Sequence, residues 1–170
     1  SESRVVPDLS GQCYEAPTAG IFYYSAAFGM GRLPARLVPF VPFFSYAMTK
    51  AGTARHDYME MAKRIDTYTG GVGVAARVRT RAVQDGTAMS YLALETKCLG
   101  RNQEKMFDIV AELVGEVDFS DHQRLRQLLM EYRAGLESMV IHNGHRLAMS
   151  LAARNFLPQT ALQETWYGIS

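Results

Sequence analysis

An α+β fold, an antiparallel sheet with helices packed on one face, is the architecture this sequence predicts. Three observations lead there. Strand-like segments rich in β-branched and aromatic residues alternate with segments whose apolar residues recur at helical spacing. Their order, β-α-α-β-β-α-α-α, sets two strands in succession around a turn signal, which makes that pair antiparallel. No internal repeat, low-complexity run or linker divides the chain.

The elements follow in chain order. Residues 1–17, SESRVVPDLSGQCYEAP, are a polar, Pro-bearing lead-in without the apolar core of a signal peptide, and 18–170 are expected to form a single domain. There is no starting Met, and ETWYGIS stops just after two large aromatics, so both ends read as those of a segment cut from a larger protein. TAGIFYYSAAFGM at 18–30 predicts a strand, apolar on both faces and therefore largely covered. LPARLVPFVPFFSYAMTKAG at 33–52 predicts a helix with Pro34 in the first turn, a kink or restart at Pro39 and Pro42, and a stop at Gly52.

Asp57 caps a second helix in which Tyr58, Met61, Ala62, Ile65 and Tyr68 share a stripe, ended by Gly70 and Gly71. Residues 72–82 and 89–98 form two strands around QDGT. The even positions Val72, Val74, Ala76, Val78 and Thr80 face the core, and Arg77, Arg79 and Arg81 make a basic row on the other face. A two-residue Asp85-Gly86 turn would pair odd with even positions and set the arginines beside Leu92 and Leu94, so a loop with an odd number of residues is expected. That places Arg77 near Glu95 and Arg81 near Tyr91.

NQEKMFDIVAELVGE carries Met106, Ile109, Val110 and Leu113 on one helical stripe. Ser120 and Gln123 form a capping box for the next helix. His142-Asn143-Gly144 is expected to break that helix, HRLAMSLAARNF to form another, and Pro158 to start a last short one.

Composition narrows function. At 170 residues, with 48% hydrophobic and 21% charged residues, the chain suits one globular domain burying roughly 70% of its unfolded surface. A net charge of +1 gives no support to a nucleic-acid or membrane partner, and no apolar run reaches the length of a transmembrane helix. Cys13 and Cys98 are too few for a disulfide framework or a Cys-based zinc site and read as reduced thiols.

The motifs are sparse. His142 and His145 stand in H-x-x-H, but no carboxylate follows at a ligand position, and the pair reads as two polar residues at a helix junction. His56 and His122 read as solvated. Ser45 sits on an apolar helix with no evident base. TGGVGV lacks the Lys-Ser/Thr of a phosphate-binding loop and follows a helix, so its glycines read as a helix exit and a strand start. The nine methionines read as core filler. The row of Arg77, Arg79 and Arg81, with Tyr91 across the hairpin, has two readings: a solvated face paired to Glu95, or a polar face contacting a bound peptide.

GIFYYSAAFGMGRLPARLVPFVPFFSYAMTKAGT and HDYMEMAKRIDTYTGGVGV resemble the pitrilysin/insulinase-type zinc metallopeptidases, and residues 102–158, above all YRAGLESMVIHNGHRLAMSLAA, resemble their presequence-protease branch. The resemblance covers about residues 15 to 170. It implies a LuxS/MPP-like α+β domain, one of several in tandem that form two bowl-like halves around a closed chamber. In such enzymes the first domain carries His-x-x-Glu-His and a downstream Glu, while the third keeps the fold without the metal. Aligning Gly52-Thr53 with the family's helix exit sets Phe43, Tyr46 and Ala47 at the motif positions. Two imidazoles for zinc and a carboxylate for water are what that chemistry needs, and none is present.

The resemblance therefore implies a non-catalytic third domain of a peptide-degrading zinc enzyme, forming chamber wall and contacting substrate. Zinc would belong to the parent and not to this chain, and the partners would be the parent's other domains and peptide substrates. A bacterial-type parent implies a cytoplasmic setting, and an organellar parent is the other option. The different-class alternative is a stand-alone peptide-binding or assembly module.

Overall fold

The computed structural model describes residues 3–6, 11–80, 88–153 and Trp166. Within the lead-in, β1 (Ser3–Val6) and β2 (Gly11–Tyr14) pair antiparallel, Val6 opposite Gly11. β3 (Ile21–Gly29) follows. The proline-rich stretch then resolves as a restart: a 3-10 helix over Ala35–Phe40 holds Pro39, and α1 (Val41–Met48) begins with Pro42 in its first turn, where a missing N–H costs nothing.

Gly52 is not the helix stop. α1 ends at Met48, and Gly52–Thr53 form the short strand β4. Gly is needed there because a Cβ would stand 3.1 Å from the His56 carbonyl oxygen and 3.3 Å from the Tyr58 nitrogen. α2 (Tyr58–Tyr68) is capped as expected, the Asp57 carboxylate accepting from the Met59 and Glu60 amides. Gly71, at φ +98°, makes the turn into β5 (Val72–Thr80). β6 (Ala88–Leu99), α3 (Gln103–Gly115), β7 (Val117–Asp118) and α4 (His122–Ala153) complete the order.

The sheet runs β3-β6-β5, antiparallel throughout, and β4 pairs with β7 apart from it. Even residues of β6 oppose even residues of both neighbours, for example Leu94 opposite Val74 and Ala26. The parity expected for the hairpin holds, but the pairing within it differs. Arg77 lies opposite Tyr91, and Glu95 lies opposite Gly73 on one side and Ser25 on the other. The register pairs Thr80 with Ala88, so Arg77 stands four residues along the ladder from the rung of Glu95. The QDGT turn and Arg81 lie outside the described residues.

Among the described residues, helices cover the even face alone. Met48, Met61, Ile65, Ile109 and Leu113 form one core cluster against Val72 and Val74, and Val41, Ala76 and Trp166 form a second beside Val78 and Leu92. The Trp166 indole donates to the Val38 carbonyl at 2.9 Å. Phe22 and Tyr24 meet the Phe107 ring of α3 edge-on. β3 is therefore half-covered, not covered on both faces: Tyr23, Ser25 and Ala27 are exposed.

Two further expectations fail near the C-terminal end. α4 is capped by Asp121, which accepts from the Arg124 amide at 2.9 Å, while the Ser120 hydroxyl is engaged by Asp118 at 2.8 Å. α4 also runs unbroken through His142-Asn143-Gly144. One Gly costs a helix only about 1 kcal/mol against Ala, and no Pro follows to enforce a stop. The Pro158 segment lies outside the described residues.

Candidate functional site

The residues of α1 that the resemblance sets at the metal-motif positions are engaged in packing. Phe43 and Tyr46 both meet the Tyr132 ring of α4, at centroid distances of 5.6 and 5.2 Å. The Tyr46 hydroxyl donates to Glu131 at 3.3 Å, and Lys50 Nζ sits 3.7 Å over the Tyr46 ring. Ala47 is buried. A phenyl, a phenol and a methyl group cannot replace two imidazoles and a carboxylate, so zinc does not fit here. Among the described residues no group of three or more His, Cys, Asp or Glu side chains could hold a metal ion. Phe44 turns the other way, onto the core cluster and the Phe119 ring. The Ser45 hydroxyl donates to the Val41 carbonyl at 2.8 Å and is no nucleophile.

The face of the sheet away from the helices is the second feature. Arg77, Arg79 and Tyr91 lie on it together, with Met89, Ala93, Glu95, Ser25, Ala27 and Gly29. These residues line a concavity of about 970 Å³. The structure thus gathers three of the four candidate contact residues, and the fourth, Arg81, lies outside the described residues. Arg77 and Arg79 are exposed and, among the described residues, make no ion pair with Glu95.

Sequence reasoning missed a buried polar cluster. Glu112 of α3 is fully buried, and its carboxylate accepts from His56 Nδ1 at 2.7 Å, from Arg64 Nη1 at 2.6 Å and from the Thr53 hydroxyl. Arg55 Nη2 adds a contact at 3.5 Å. Burial pushes the Glu112 pKa up, but the hydrogen bonds from Thr53, His56 and Arg64, with the Arg64 charge, outweigh it and hold the carboxyl at about 2. His56 is therefore a partner of a buried anion, not a solvated residue. The sequence carries the signal: Glu112 falls on the stripe of Ile109 and Leu113, where an acid needs a reason. A small cavity of about 300 Å³ opens beside this cluster, between residues 51–58 and the first turns of α4.

Among the described residues, the other histidines and the cysteines form no cluster with a metal-binding group. With α4 continuous, His142 and His145 are one helical turn apart, but His142 Nδ1 bonds the Ser138 carbonyl at 2.8 Å. Cys98 is buried, which raises its pKa, and Cys13 is exposed on the N-terminal hairpin. No helix among the described residues is long and apolar enough to cross a membrane.

Comparison with known proteins extends this geometry. The model of the family described as "Peptidase M-16C associated" matches residues 2–170. The chain is 34% identical over 158 residues to "Presequence protease, mitochondrial" of Danio rerio, which covers 93% of this chain and 15% of that protein. It is 29% identical over 162 residues to the protein of the same name from Mus musculus, covering 95% of this chain and 16% of that one. It is 28% identical over 149 residues to "Protein HypA" of Clostridium perfringens, covering 88% of this chain and 15% of that protein. The chain thus spans about one sixth of the length of these relatives.

Proposed function

The chain belongs to this peptidase-associated family, in its presequence-protease branch, and from that premise we propose that it is a non-catalytic domain of a peptide-degrading zinc metallopeptidase. In this reading it corresponds to the third of the tandem domains. The zinc and the water-activating carboxylate are supplied elsewhere in the parent. This chain contributes wall to the enclosing chamber and contacts the substrate through the open face of its sheet. The setting follows the relatives: organellar for a parent like the mitochondrial proteins, cytoplasmic for a bacterial one.

One observation carries the proposal. The helices cover the even face of β3-β6-β5 and leave the odd face, with Arg77, Arg79 and Tyr91, concave and open. A sheet so exposed normally meets solvent or a partner. In a chain whose metal-motif positions hold Phe43, Tyr46 and Ala47, binding is the remaining contribution to peptide turnover.

Methyl NMR on the alanine-labelled chain tests it. Unstructured peptides should shift Ala27, Ala75 and Ala93 on the open face and leave Ala47 and Ala76 in place. Shifts confined to α4, or none at millimolar peptide, overturn the proposal.

A further inference from the structure

The open face is asymmetric along its strands. Its middle is floored by short side chains, Ala27, Ala93 and Ala75 in one rung and Ser25 and Gly73 flanking Glu95 in the next. Arg77 and Arg79 stand at one end of that floor, with Tyr91 and Met89 across the ladder, and Glu95 stands at the other. All three charged groups are exposed, and none makes an ion pair among the described residues. Lys97, the other charged residue on this face among those described, lays its stem against Gly70 beside the start of β5. Four residues separate the rung of Glu95 from that of Arg77, so the opposite charges stand about 13 Å apart. They are too distant to pair with each other. Side chains i and i+4 on one face of an extended peptide have the same spacing.

We infer that this face is a bipolar trough for an extended peptide segment bearing an acidic and a basic side chain four residues apart. The acidic group meets Arg77 and Arg79, and the basic group meets Glu95. The inference rests on the reading of this face as the substrate-contacting one, and adds to it the class of segment selected. The short floor lets a second strand layer approach to about the 10 Å of packed sheets without displacing a bulky side chain. A wholly basic segment sets a cation against the arginines, and a wholly acidic one sets an anion against Glu95. The trough thus selects by the spacing of opposite charges and not by net charge. Either order of the pair fits, since reversing the chain direction restores the match.

The test titrates short labelled peptides in a Ser/Thr-rich host into the 170-residue chain, read by fluorescence anisotropy at low salt and by the alanine methyl shifts. A peptide with Asp and Lys at i and i+4 should bind roughly five- to tenfold tighter than neutral or all-basic peptides, or than the same pair at i and i+1. E95R, with its melting curve checked against the parent chain, should abolish that advantage and shift the preference to a peptide with two Glu. Equal affinities across the set, with open-face methyl shifts present, overturn the bipolar trough and leave the wall reading standing. If no peptide moves these methyls, both fall. Dimerisation lost in E95R would show that a second copy occupies the face, and would also overturn the inference.

Discussion

Glu112 illustrates what one buried charge does when every oxygen is engaged. It lies on the apolar stripe of α3, and its hydrogen bonds tie Thr53 of β4 and Arg64 of α2 to the same carboxylate, with His56 between them. Removing one partner of a buried ion pair typically costs about 3–5 kcal/mol, because the remaining charges lose their counter-ion. E112Q should fall in that range in urea unfolding. The pH dependence has a defined sign. The folded carboxyl sits at about 2 against an ordinary 4.5, so its stabilisation is fully present above the ordinary value and lost as pH falls through the folded one. The stability gap between the natural chain and E112Q should therefore shrink between about pH 4.5 and 2. A constant gap over that window would show that the carboxylate is not held by these partners. At Gly52 the constraint is steric, since a Cβ would press on the backbone of residues 56–58. G52A should destabilise where an ordinary loop Gly→Ala would not.

At the scale of elements, α1 and α4 each carry a packing feature that a substitution can test. α1 packs Phe43 and Tyr46 on Tyr132, and Ala47 is 1% exposed. Writing the metal motif back as the triple F43H/Y46E/A47H puts an imidazole where only a methyl fits, and overpacking alone costs typically about 1–3 kcal/mol. The triple should melt below the natural chain and bind no zinc with sub-micromolar affinity. A rise in melting temperature on adding zinc would show that the site is merely unliganded. For α4, continuity through residue 144 has its own check. A Cβ at Gly144 meets nothing within 4 Å, and its φ is not positive. G144A should stabilise by about 0.5–1 kcal/mol. Destabilisation would mean that the helix is interrupted there.

At the scale of the whole molecule, one-sided coverage of the sheet is the property on which the proposed function turns. Arg77 and Arg79 do not hold the fold, so the double variant R77Q/R79Q should stay within about 0.5 kcal/mol of the natural chain. The same change should weaken binding of acidic segments. Loss of stability above that range would assign the arginines a structural role. On the proposed function the isolated chain should retain no stoichiometric zinc and cleave no quenched peptide. Metal analysis after zinc incubation decides this, and one tightly held zinc with chelator-sensitive cleavage would overturn it.

Local signals are legible in the sequence: the Asp57 cap, the apolar stripe of Met106, Ile109, Val110 and Leu113, and the alternation that puts Arg77 and Arg79 opposite the core. Each depends on residues a few positions apart, and so does the absence of ligand types at Phe43, Tyr46 and Ala47. The α+β class and the family resemblance are legible for the same reason, because periodicity and segment identity are written along the chain. What depends on distant partners is not. The Glu112 cluster joins residues 48 to 59 positions apart, and a lone Glu on a helical stripe names none of them. The pairing of Arg77 with Tyr91 and not Glu95 is a matter of register, which parity alone leaves open. The exposure of β3 escapes the sequence because apolar residues on both faces describe composition, while coverage is decided by which side α1, α2 and α3 occupy. His142-Asn143-Gly144 reads as a break because propensity is local and weak. Sequence determined which residues stand on which face of each strand and which face of the hairpin is turned from the core, and tertiary packing alone decided that β3 is left open on that same face.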